Sequence, residues 1–133
     1  MSHRYILSRS LPMNGHKLTA AALLSTLLAP AFAQDQVVTP REIQDAWVGK
    51  TLVGKTTGGA AVTLKLQSDG TASVSAGSTN DLGTWRPSEE GYCTTWRNIR
   101  SGQERCFTVR RIGTTMKVFN PDGTVNGEFT EIR

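Results

Sequence analysis

Ala61-Val-Thr-Leu-Lys-Leu66 and Thr71-Ala-Ser-Val-Ser-Ala76 each alternate apolar and polar residues, and Ser68-Asp69-Gly70 joins them. Two such runs around an Asp-Gly pair form a β-hairpin, because a period of two places every second side chain on one face and Asp-Gly supplies the turn. The same pattern continues outward on both sides. Thr51–Lys55 precedes the hairpin, and Leu82–Arg86, Tyr92–Ile99, Arg105–Arg111, Thr115–Asn120 and Val125–Ile132 follow it. The intervening segments are turn-like: Gly77–Asp81, Pro87–Gly91, Ser101–Glu104, Gly113-Thr114 and Asn120–Gly123. About eight short strands with tight turns predict a mainly β fold, an antiparallel meander forming a small barrel or a coiled sheet. Asp122-Gly123-Thr124 echoes Asp69-Gly70-Thr71, and both read as hairpin turns.

One short helix is expected ahead of the strands. Thr39-Pro40-Arg41-Glu42 offers a capping hydroxyl, a proline at the first helical position and an acid at the third. Ile43, Ala46 and Trp47 then recur at helical spacing, so residues 40–48 should form a helix whose apolar face, led by Trp47, packs on the sheet.

The first 33 residues read as a leader. Leu18–Ala29 is an apolar run after Lys17, too short for the roughly 20 residues that a spanning helix needs. Ala31-Phe32-Ala33 then provides small residues at the positions a signal peptidase reads, ahead of polar Gln34-Asp35-Gln36. A signal peptide over 1–33 is expected to be removed, leaving a single β domain over 34–133, periplasmic or secreted. Translation starts at Met1 or at Met13, which gives an ordinary short basic leader. No cysteine sits just after the cleavage point and no Arg-Arg pair precedes the apolar run, so neither a membrane anchor nor twin-arginine export is expected.

Removing the leader changes the chemistry on offer. The mature segment carries twelve Lys and Arg against eleven Asp and Glu, nearly balanced, which argues against nucleic acid as a partner. Both histidines, His3 and His16, belong to the leader. Without histidine the mature domain has no Ser-His-Asp or Cys-His nucleophile and no ordinary zinc site. Glu89-Glu90 are its one adjacent acidic pair and read as part of a solvated turn. No catalytic residue, metal or cofactor is expected. Gly49–Thr56 matches the phosphate-loop pattern letter for letter, yet Gly58-Gly59 stands where the loop's helix should begin, so a strand flanked by turns is the better reading.

Cys93 and Cys106 are the whole cysteine inventory, and a pair behind an export signal should form a disulfide. A tight turn centred on Ser101-Gly102 would set Cys93 opposite Arg110, about 13 Å along the strand from Cys106, too far to bridge. A loop centred between Ile99 and Arg100, spanning Asn98–Ser101 or more, sets Cys93 opposite Cys106 and Tyr92 opposite Phe107. The bridge should contribute roughly 3 kcal/mol.

Two sets of side chains remain. Trp85, Tyr92, Trp96 and Phe107 make up either a filled aromatic core or the lining of an apolar ligand pocket. Arg97, Arg100, Arg105, Arg110 and Arg111 crowd the disulfide hairpin. They form either a solvated outer face or an electropositive edge for a partner's carboxylate or phosphate.

Gly83-Thr84-Trp85, Cys93-Thr94-Thr95-Trp96, Arg105-Cys106-Phe107 and Phe119-Asn-Pro-Asp-Gly123 together resemble a family of small exported proteobacterial proteins of unknown function, lipocalin-like or half-barrel in type. The resemblance covers nearly all of the mature chain and implies a fold and a compartment, with no catalytic residues to carry over. The expected function is therefore a non-enzymatic, monomeric binding module for a small apolar molecule or an envelope protein. The alternative is a periplasmic protein inhibitor or envelope interaction factor, acting through the disulfide-fixed arginine-rich hairpin.

Overall fold

In the computed structural model, which describes residues 35–133 together with Ala22, the chain enters through β1 (Gln36–Val37) and helix α1 (Pro40–Ala46). The leader expected over 1–33, Ala22 apart, lies outside the described residues. The Thr39 hydroxyl accepts a hydrogen bond from the Glu42 amide at 3.2 Å, and Pro40 opens the first turn, as the capping pattern requires. The helix ends at Ala46, and Trp47 follows it directly into the core.

The remainder is a closed antiparallel barrel of eight strands: β2 (Thr51–Thr56), β3 (Ala61–Leu66), β4 (Thr71–Ala76), β5 (Thr79–Pro87), β6 (Gly91–Trp96), β7 (Arg105–Ile112), β8 (Thr115–Phe119) and β9 (Val125–Ile132). Each strand pairs with the next in sequence, and β9 returns to β2 to close the ring. Reciprocal hydrogen bonds between Thr51 and Arg133, both 2.9 Å, secure that seam. Closure leaves no long free edge. The ladders also coil tightly enough to need glycine: a Cβ on Gly54 would overlap the Glu128 carbonyl, and one on Gly83 the Thr95 carbonyl.

The Asp-Gly-Thr repeats are turns, as their sequence implies. Asp69 accepts from the Thr71 amide at 2.9 Å and its hydroxyl at 2.6 Å, and Asp122 does the same to Thr124 at 3.0 and 2.6 Å. The phosphate-loop match runs along β2, with a turn where a nucleotide-binding loop would need a helix.

Three local expectations need correction. Thr79–Asp81, read as loop from their polarity, extend β5 and pair with Ala76, Ser75 and Val74, since a ladder between backbones tolerates polar side chains. The strand expected to reach Ile99 stops at Trp96, because the Asp81 carboxylate accepts the Asn98 and Ile99 amides at 2.9 and 2.8 Å and diverts the chain into a short 3-10 turn, Ile99–Gly102. β1 was not anticipated. β7 runs past the end of its ladder with β6, and β1 takes up the vacated positions at Arg110 and Arg111.

Inside, the barrel is filled unevenly. Trp47 and Ile43, both fully buried, enter one end from α1. The Trp47 ring meets Tyr92 and Phe129 edge-on, with centroids 5.6 and 5.8 Å away. Leu52, Leu66, Val109 and Val118 complete the packing around the plug.

Candidate functional site

Beyond Trp47 the interior is not filled. A cavity of about 240 Å³ occupies the other half of the barrel, lined from β3 and β4 by Val62, Leu64, Val74 and Ala76, and from β6, β7 and β9 by Tyr92, Thr94, Trp96, Phe107 and Phe129. Thr56, Asn126, Ile99 and Arg100 stand at its open end. Alternation dictates this lining: Tyr92, Thr94 and Trp96 share the inward face of β6, and the register sets Tyr92 directly opposite Phe107. Their rings lie 5.3 Å apart.

The structure thus gathers three of the four aromatic candidates, Tyr92, Trp96 and Phe107, around one space. Trp85 is on the same side of the sheet but outside that lining. Its indole N–H donates to the Gln67 carbonyl at 2.7 Å, so the ring lies over the β3–β4 turn. A half-buried indole seeks a partner for its polar end, and the turn supplies one.

Cys93 and Cys106 form the disulfide, directly cross-strand, with Cα atoms 3.9 Å apart. It occupies the face of the hairpin opposite Tyr92 and Phe107. Arg86 and Glu104 clamp over it in a two-pronged ion pair, Nε–Oε2 3.1 Å and Nη2–Oε1 2.6 Å, and Arg86 holds the Glu104 carboxyl below its ordinary range. Among the described residues, the one grouping of metal-type side chains is these two cysteines with Glu104, and both sulfurs are committed to the bridge.

The five arginines do not form one edge. Arg110 and Arg111, adjacent on β7, point to opposite sides of the sheet and are engaged by the N-terminal segment: Arg110 pairs with Asp35 at 3.2 Å, and Arg111 pairs with Glu42 of α1. Arg105 shares Phe107's side of β7, at the open end. Arg97 is exposed on the outer side of the chain leaving β6. The expectation of a single electropositive edge fails because strand alternation separates neighbours in sequence.

Arg100 is the exception that sequence reasoning misplaced, since it turns inward over the cavity. Its Nη2 donates to the Thr94 hydroxyl at 2.9 Å and the Thr94 carbonyl at 3.3 Å, and its guanidinium carbon stands 5.5 Å from the centre of the Phe107 ring. The backbone that aims it is strained: Arg100 and Ser101 have φ of 57° and 54°, the left-handed region, which costs a residue with a Cβ roughly 1–2 kcal/mol. No acidic side chain pairs with Arg100 among the described residues. Its Nε is buried without a hydrogen-bond partner. Burial, then the nearby Arg105 charge, lowers the pKa of Arg100; burial pushes the Tyr92 phenol up, and the Arg100 charge draws it partly back.

No protein-family model, curated protein or solved structure matches the chain, so its site is read from geometry alone.

Proposed function

We propose that this protein is a non-enzymatic binding module, periplasmic or secreted after loss of its leader, whose barrel holds a small molecule in the cavity above Trp47. The observation that carries this reading is the unequal filling of one barrel. Interiors are normally packed to crystal-like density, and small barrels are commonly filled by their own side chains. Here one half is occupied by the fully buried Trp47 and Ile43, and the other holds a space of about 240 Å³ with aromatic and aliphatic walls and a few polar groups at its opening, the usual make-up of a ligand site. The absence of histidine after residue 16 fits binding better than acid–base chemistry. A partner protein gripping the arginine-rich hairpin is less well supported, because Arg110 and Arg111 are engaged internally and Arg100 faces the lumen.

Toluene, a neutral probe small enough for the space, tests the reading. Titrated into the mature, disulfide-bonded protein, it should shift the NMR signals of Trp96 and Phe107 saturably and leave those of Trp85 in place. Ala76→Phe, which fills the open end, should abolish the shifts. Toluene that leaves the Trp96 and Phe107 signals unmoved would rule out a usable cavity.

A further inference from the structure

The open end of the cavity has an electrostatic requirement of its own. A guanidinium is expensive to withdraw from water unless it is paired and hydrogen-bonded, and a buried polar atom without a partner calls for an explanation. Arg100 is half-buried, carries an orphaned Nε, and has no carboxylate beside it among the described residues. The fold nonetheless goes to some length to place it. Asp81 ties down Asn98 and Ile99, the Arg100 carbonyl accepts the Gln103 amide at 3.0 Å, two residues adopt left-handed backbone, and Thr94 steers the guanidinium through Nη2. Such strain concentrates at ligand clamps, where the surrounding structure over-determines it.

We propose that the ligand is a small monocarboxylate, its acid group seated on the Arg100 guanidinium and its apolar body extending toward Trp96, Phe107 and Phe129. This rests on the reading of the barrel as a binding cavity and names the class of molecule it takes. A carboxylate supplies what the site lacks: an acceptor for Nε–H and a negative charge opposite an unpaired cation. One guanidinium with the Thr94 hydroxyl suits a monoanion; a phosphate dianion calls for more donors than this opening presents. The volume sets the other bound. About 240 Å³ lies below the roughly 300–1,000 Å³ of sites for drug-sized ligands, which limits the body to a short alkyl chain or a single ring. Arg105, at the same end, adds a second positive charge that draws an anion to the opening.

The test is calorimetric titration of the mature, oxidised protein with octanoate and phenylacetate, each against its neutral amide. The acids should bind at least tenfold more tightly than the amides. Arg100→Met, which keeps the length of the side chain and removes its charge, should weaken acid binding about ten- to a hundredfold and amide binding by only about a few fold, the loss of a neutral hydrogen bond. Arg100→Lys, which keeps the charge and loses the planar fork, should fall between the two. The comparison of acid with amide in the unaltered protein needs no variant, so it decides the matter even if Arg100→Met does not fold. Equal binding of acid and amide, or an acid preference that survives Arg100→Met, would overturn the carboxylate assignment and leave the cavity reading standing. Binding of none of the four compounds overturns the assignment as well, and the toluene titration then decides separately whether the cavity reading falls with it.

Discussion

At one end of the barrel, α1 delivers Trp47 and Ile43 into the interior, where both are fully buried and Trp47 meets two rings edge-on. At the other end, the group that arrives from outside the strands is Arg100, a cation with an orphaned nitrogen on a strained turn above an unfilled space. The same eight strands serve both ends, and their inward residues are apolar throughout most of their length. The difference lies in what the connecting segments bring. A helix with an apolar face completes a core, whereas a polar turn pinned by Asp81 leaves half the lumen open. On the proposed reading, stability and binding fall to different halves of one barrel.

The contrast is sharpest in truncation. Trp47→Ala should destabilise the protein by about 3–5 kcal/mol in urea unfolding, because it empties a fully packed position. Trp96→Ala, which enlarges a space that already exists, should cost no more than about half of that. Equal losses at the two positions would mean that the open half is as much a core as the closed one.

Next in size is the disulfide, which anchors both strands that lead into the Arg100 turn. Replacing Cys93 and Cys106 together by Ala should lower stability by roughly 2–4 kcal/mol. Hydrogen exchange should quicken most around residues 97–104, with α1 little affected. A uniform change across the domain would show that the bridge supports the whole barrel and not chiefly its open end.

The smallest effect is the dependence of the turn on pH. The Asp81 carboxyl lies below its ordinary value of 3.8, chiefly because it accepts the Ile99 amide, with the Asn98 and Leu82 amides adding to this against its burial. A carboxyl lowered in the folded state contributes stability that is present above its unfolded value and is lost as pH falls through the folded one. Unfolding measurements from about pH 5 downward should therefore show the unaltered protein losing part of its advantage over Asp81→Asn in the acid range below 3.8. A constant difference across that range would remove Asp81 as the pin of the turn.

Much of this architecture can be read from local pattern. Alternation at Ala61–Leu66 and Thr71–Ala76, the Asp-Gly-Thr turns and the Thr39-Pro40 cap are short-range signals, and each occurs where its chemistry places it. The cysteine pair was legible for a related reason: only a loop centred between Ile99 and Arg100 brings Cys93 and Cys106 within bonding reach, and that register also sets Tyr92 against Phe107. Trp85 and the arginines were harder. Trp85 shares the inward phase of its strand, but the Gln67 carbonyl that holds it comes from a turn 18 residues away. Arg110 and Arg111 read as free surface charge until β1 and α1 fold back onto β7 and bring Asp35 and Glu42 to them.

By itself, the amino-acid sequence determined the eight-strand meander, the hairpin register at the disulfide, the helix start and the disulfide, because each depends on periodicity or on contacts between neighbouring segments. Tertiary structure alone decided that the meander closes on itself, that Trp47 fills one end and stops short of the other, and that Arg100 leaves its neighbours in sequence to face the lumen. Closure joins residues as distant as Thr51 and Arg133. The space that remains is the difference between the volume a closed ring of strands encloses and the volume its inward side chains fill. No residue carries that difference in its own identity.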